Sequence, residues 1–174
     1  MAKPPKQPDW IIAAALGWLI PGAGHLYLRK FKRGIILFVA ISAMFYTGVA
    51  IGGTMTVDRH AEPYWFYAQM GCGIHGVAGW YRQEQVYDEL SRMPEFQDVE
   101  ITAANATADW QMAVDAKLAE KNIALSYPED NIARVYSGVA GMLNILCAFD
   151  AAMLALMMLD SKRKRGIDAA EVAA

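Results

Sequence analysis

The chain has 174 residues, 20% of them charged, and a formal net charge of −2. That length admits one modest domain, and the charge balance argues against a general affinity for nucleic acid. The two cysteines, Cys72 and Cys147, stand in separate apolar segments with neither CxxC nor metal-ligand spacing. They read as small buried hydrophobes rather than as a disulfide or zinc site.

Charge is placed in blocks. No Asp, Glu, Lys or Arg falls between Trp10 and Leu28, between Gly34 and Val57, or between Pro63 and Tyr81, and Asp150 is the sole charge from Val135 to Leu159. A helix needs about 20 predominantly apolar residues to cross a hydrocarbon core of ~30 Å. The expected fold is therefore all-α: an integral, multi-pass protein of the cell (inner) membrane with three to four membrane-embedded segments. These are placed at about 10–28, 34–53, 64–81 and 133–159, with a polar acidic helical hairpin over 82–130 and a basic, then polar, tail over 160–174.

The first segment reads WIIAAALGWLIPGAGHLYL. Lys3 and Lys6 followed by the apolar stretch from Trp10 to Ile20 resemble a signal peptide, but PGAGH is a poor small-x-small cleavage site, so the segment is taken as retained. Pro21 removes a backbone donor and disfavours helix at Ile20, which limits regular helix to Trp10 through about Leu19. A helix that kinks or ends at the surface is favoured over a re-entrant half-crossing. Next comes the basic cluster Arg29, Lys30, Lys32 and Arg33, beside Tyr27 and Phe31. It marks a cytoplasmic corner and suits anionic lipid headgroups, at about 1 kcal/mol per basic residue.

The second segment, GIILFVAISAMFYTGVAIGG, has the pattern of an ordinary crossing helix. The third, PYWFYAQMGCGIHGVAGWY, is bracketed by interfacial aromatics yet carries Gly71, Gly73, Gly76 and Gly79 together with Gln69 and His75. Packing against other helices is needed to hold it. From Glu84 to Asp130 lie 11 of the 18 acidic residues, and apolar positions at helical spacing predict two short amphipathic helices separated by Pro94.

The last segment runs from Ile132 to Leu159 and then meets SKRKR, expected to end the helix in water. Ser137, Gly141, Asn144, Ala148, Ala151 and Ala155 fall alternately four and three residues apart, a heptad stripe of small residues suited to close helix contact. Two basic clusters, 29–33 and 162–165, share one side only if segment 64–81 does not cross. The excess of cations on cytoplasmic loops therefore favours a third segment that is interfacial or re-entrant, while its aromatic bracketing argues for a crossing.

Three blocks, PGAGHLYLRKFKRG, PYWFYAQMGCGIHGVAGWYRQ and YSGVAGMLNILCAFDA, together resemble an uncharacterised family of small bacterial multi-pass membrane proteins. In that family the first block reads roughly PGLGHxYxGRxxKG, the second runs from Gln to Gln through a glycine-rich apolar stretch, matched by Gln69 and Gln83, and the third reads AGLLNxLxxxD. Ala140, Gly141, Leu143, Asn144, Leu146 and Asp150 match the third block, whereas Arg29 stands where the family usually has glycine. The resemblance implies location and architecture and supplies no activity.

Asp150 is the sharpest chemical anomaly. A carboxylate at a membrane helix centre costs roughly 2.5–3.5 kcal/mol, and such residues usually face a bundle interior. Asn144 and His25 are its candidate partners in an intramembrane polar site; the competing reading makes Asp150 a marker of the interface. His25, His60 and His75 are the only histidines, and no CxxCH accompanies them. No catalytic set or metal site is discernible and no cofactor can be named. The leading functional expectation is a non-enzymatic accessory or scaffolding subunit, or a homo-oligomer, whose partners are the lipid bilayer and other membrane subunits or further copies packed on the last helix. The alternatives are a proton or ion conduit using Asp150, and a cofactor-binding subunit of an electron-transfer or photosynthetic membrane complex.

Overall fold

In the computed structural model, residues 9–53, 56–57, 59, 63–92 and 130–172 are described. All regular structure among them is helical: α1 (Trp10–Leu19), α2 (Ala23–Tyr27), α3 (Phe31–Gly52), α4 (Pro63–Met70), α5 (Ile74–Ser91) and α6 (Asp130–Val172). The second predicted amphipathic helix, at 105–125, lies outside the described residues, as does His60.

α3 and α6 are long and apolar enough to cross a membrane, two such helices against the three to four membrane-embedded segments expected. They pack antiparallel. A Cβ on Gly48, near the end of α3, would meet the Ala133 carbonyl at 2.6 Å, while Arg33, at the start of α3, reaches Asp150. α6 also carries α1, α2 and α4, and α5 packs on α3 and α4.

The other two apolar segments each break and double back. In the first, Asp9 caps α1 through Oδ1 and the Ile11 amide (2.9 Å), and α1 ends at Leu19 with Ile20 extended. Pro21 and Gly22 make the turn; Gly22 is left-handed at φ 77°, and a Cβ there would collide with the Gly34 carbonyl. α2 then returns towards the start of α1: the Asp9 amide donates to Tyr27 Oη at 3.3 Å, and Leu28 shares an apolar cluster with Ala13, Ala151 and Ala155.

The third predicted segment follows the same plan and is two helices, not one. α4 runs parallel to α6, with Trp65 against Gly138 and the Ala68 carbonyl against Gly141. The chain reverses over Gly71–Gly73, and α5 comes back so that Phe66 and Trp80, equidistant along the chain from Gly73, stack edge-on with centroids 6.2 Å apart. α1 descends α6 towards Asn144 as α4 approaches that residue from the opposite end. The two hairpins thus enter the bundle from opposite ends, and their tips meet.

One boundary differs for a local reason. SKRKR does not end α6, which continues to Val172. Lys and Arg are good helix formers, and Lys164 Nζ lies 3.6 Å from Asp160 Oδ2 one turn back.

Candidate functional site

Two polar centres lie along the inward face of α6. The first is at Asp150. Its Oδ2 accepts from His25 Nε2 at 2.7 Å and from Arg33 Nη2 at 3.0 Å. Cys147, one turn earlier on α6, places Sγ 3.8 Å from His25 Nδ1. His25 is wholly buried, whereas the Asp150 and Arg33 side chains are 42% and 56% exposed. The cluster therefore joins an interior imidazole to the outside through a single carboxylate oxygen.

Local sequence explains how these groups converge. The turn at Pro21–Gly22 and the close approach of Gly24 to the Ala13 carbonyl bring α2 against α6 and point His25 at Asp150. Arg33 sits in the first turn of α3, where no acidic residue is present. The positive end of the helix dipole disfavours a cation there, and pairing with Asp150 offsets that cost. Asp150 Oδ2 thus faces both the Arg33 guanidinium and the His25 ring, whose Nδ1 in turn faces the Cys147 thiol.

The second centre joins the hairpin tips. Asn144 Nδ2 donates to the Trp18 carbonyl at 2.8 Å and to the Gly71 carbonyl at 3.0 Å. Both carbonyls lie at broken helix ends that lack intrahelical partners, and a single amide satisfies the two. Gly73, left-handed at φ 60°, lies so close beneath α1 that a Cβ would overlap the Trp18 and Leu19 carbonyls. Further along α6, Gln69 Nε2 donates to Ser137 Oγ (2.8 Å) and to the Thr56 carbonyl (2.9 Å). The buried oxygens Asn144 Oδ1 and Gln69 Oε1 have no hydrogen-bond partner among the described residues.

The residues proposed as an intramembrane polar site thus divide. His25 and Asp150 meet, while Asn144, about 9 Å back along α6, serves the hairpin tips. The stripe Ser137, Gly141, Asn144, Ala148, Ala151 and Ala155 is buried throughout. It is filled by this chain's own α1, α3 and α4: Gly17 lies over Ala148, Gly48 over Ser137, and the Ala68 carbonyl over Gly141. Heptad spacing records close approach and carries no information about which helix approaches; here the approaching helices are the chain's own.

Arg29, Lys30, Lys32 and Arg33 are all exposed, and Arg33 in addition pairs with Asp150, a role the spacing of the basic cluster does not reveal. Antiparallel pairing of α3 with α6 would have placed it level with Asp150. Sequence reasoning also gave no role to Ser42, which bonds His75 Nε2 at 3.1 Å, or to Cys147 beside His25.

Both ring nitrogens of His25 have neighbours, whereas His75 is bonded through Nε2, has a buried Nδ1 with no hydrogen-bond partner among the described residues, and is enclosed by Phe38, Phe45 and Tyr46. Among the described residues no group of three His, Cys, Asp or Glu side chains could hold a metal ion. Both cysteines are free and buried.

No curated protein and no solved structure matches the chain significantly. The model of DUF6677, a family of unknown function, matches residues 12–164, and the chain belongs to that family.

Proposed function

We propose that this is a multi-pass protein of a bacterial inner membrane in which α3 and α6 cross the bilayer, the two hairpins re-enter from opposite faces, and the His25–Asp150–Arg33 cluster handles protons. Support for the membrane placement comes from exposure. Only 22% of the most apolar stretch of α3 and 33% of that of α6 is buried. A soluble protein's core helix would be mostly buried; here Ile35, Ile36, Val39, Leu146, Phe149 and Met157 face outward. With the hairpins re-entrant, both basic clusters lie on one side, as the excess of cations on cytoplasmic loops requires. Broken backbone within a bilayer persists only where protein or trapped water satisfies it, which is the service Asn144 performs.

The observation that carries the proton reading is the contact of wholly buried His25 with half-exposed Asp150. From there polar groups continue along the inner face of α6 through Asn144 to Ser137 and Gln69, a rise of about 20 Å. The partnerless oxygens of Asn144 and Gln69 are acceptor positions for water, which would bridge the intervals.

Purified protein in liposomes loaded with a pH-sensitive dye tests the reading. Under a potassium-diffusion potential, proteoliposomes should acidify at least tenfold faster than empty liposomes, and Asp150→Asn should abolish the difference. Equal rates with and without wild-type protein would overturn proton conduction.

A further inference from the structure

An open groove of about 700 Å³ runs between α1 and α6 on the outside of the bundle. Ala15, Ala148 and Ala152 form its floor, Trp10 and Trp18 flank it on α1, and its surface is almost entirely hydrocarbon. The floor is low for a packing reason: a Cβ on Gly17 would meet the Ala148 Cα at 3.1 Å, so small residues are required where the two helices touch. From Ile145 to Leu156 the groove is about 16 Å long, close to the half-thickness of a ~30 Å hydrocarbon core.

Leu156 also lines a second hollow, shared with Leu159, Asp160, Lys162 and Arg163. Asp160 is engaged by Lys164, so within this hollow Lys162 and Arg163 present positive charge. Hydrocarbon groove and cationic hollow therefore adjoin at Leu156, in the order of an acyl chain and its phosphate. We infer that they form a binding site for an anionic phospholipid, its acyl chain along the α1–α6 groove and its phosphate at Lys162 and Arg163. The inference rests on the membrane placement proposed above. A cation near an anionic headgroup strengthens association roughly fivefold, so two of them suffice to distinguish an anionic from a zwitterionic lipid.

Trp10 and Trp18 supply the probe. The full chain is reconstituted into phosphatidylcholine vesicles containing brominated-acyl phosphatidylglycerol or, at equal mole fraction, brominated-acyl phosphatidylcholine. The anionic lipid should quench tryptophan fluorescence with at least fivefold higher apparent affinity. Lys162→Gln with Arg163→Gln, at exposed positions, should remove that preference, and Trp10→Phe with Trp18→Phe should remove the lipid-selective part of the quenching. Equal quenching by both lipids would identify ordinary boundary lipid and overturn the site. So would a preference that survives loss of Lys162 and Arg163, which would belong to residues 29–33, or a groove inaccessible to both lipids, as with a second copy seated in it. A chain that fails to enter vesicles at all would overturn the membrane placement, and this site with it, a result distinguishable from equal quenching.

Discussion

His25 and Asp150 stand 125 positions apart in the chain and meet at 2.7 Å, Nε2 to Oδ2. The meeting requires the turn at Pro21–Gly22, the descent of α1 along α6 and the antiparallel pairing of α3 with α6. It therefore reports on the whole bundle as well as on the chemistry at its edge.

The two partners of Asp150 contribute unequally. The pair with Arg33 is half-exposed and worth little to stability, whereas His25 is wholly buried and needs an acceptor for Nε2–H. Asp150→Ala should lower stability by about 2 kcal/mol, the cost of an unpaired buried donor, and Asp150→Asn, which keeps an acceptor oxygen, by less than half of that. Thermal unfolding in mild detergent checks this; equal losses for the two variants would mean that the Arg33 pair dominates.

Asn144 holds two tips with one amide group. Asn144→Ala leaves the Trp18 and Gly71 carbonyls without that donor and should cost about 2–4 kcal/mol. Asn144→Asp should be worse, because a carboxylate cannot donate and would face two carbonyl oxygens. Unfolding curves for the two variants decide the order; an aspartate variant as stable as wild type would remove the tip-joining role.

Arg29 is the one described non-glycine residue at positive φ, 60°. Glycine adopts that left-handed conformation without the steric cost an L-residue meets there. The strain on an L-residue is roughly 1 kcal/mol. Arg29→Gly should stabilise by about that amount and Arg29→Val should destabilise. Both variants remove the same charge, so the difference between their unfolding midpoints isolates the backbone; no difference would contradict the turn geometry.

Much of this fold is legible in the sequence. The uncharged run at 34–53 and the nearly uncharged one at 135–159, broken only by Asp150, mark α3 and the apolar part of α6, and Pro21 marks the end of α1. His25 and Asp150 stand out because each is a polar residue in an otherwise apolar setting. The reversal at Gly73 is not legible: four glycines are spread along 71–79, and only the Trp18 and Leu19 carbonyls, more than fifty residues earlier, decide which of them becomes the tip. The small-residue stripe of α6 is visible for the same reason that its occupant is not, since small side chains admit any neighbour.

The central claim is that two hairpins enter from opposite faces and turn back where they meet. Single cysteines at Trp10 and Lys30, and at Tyr64 and Arg82, all exposed positions, probe it in membrane vesicles of known orientation with an impermeant maleimide. Positions 10 and 30 should label together from the face that carries the basic clusters, and 64 and 82 together from the other. Labelling of 64 and 82 from opposite faces would make α4–α5 a crossing and contradict the account.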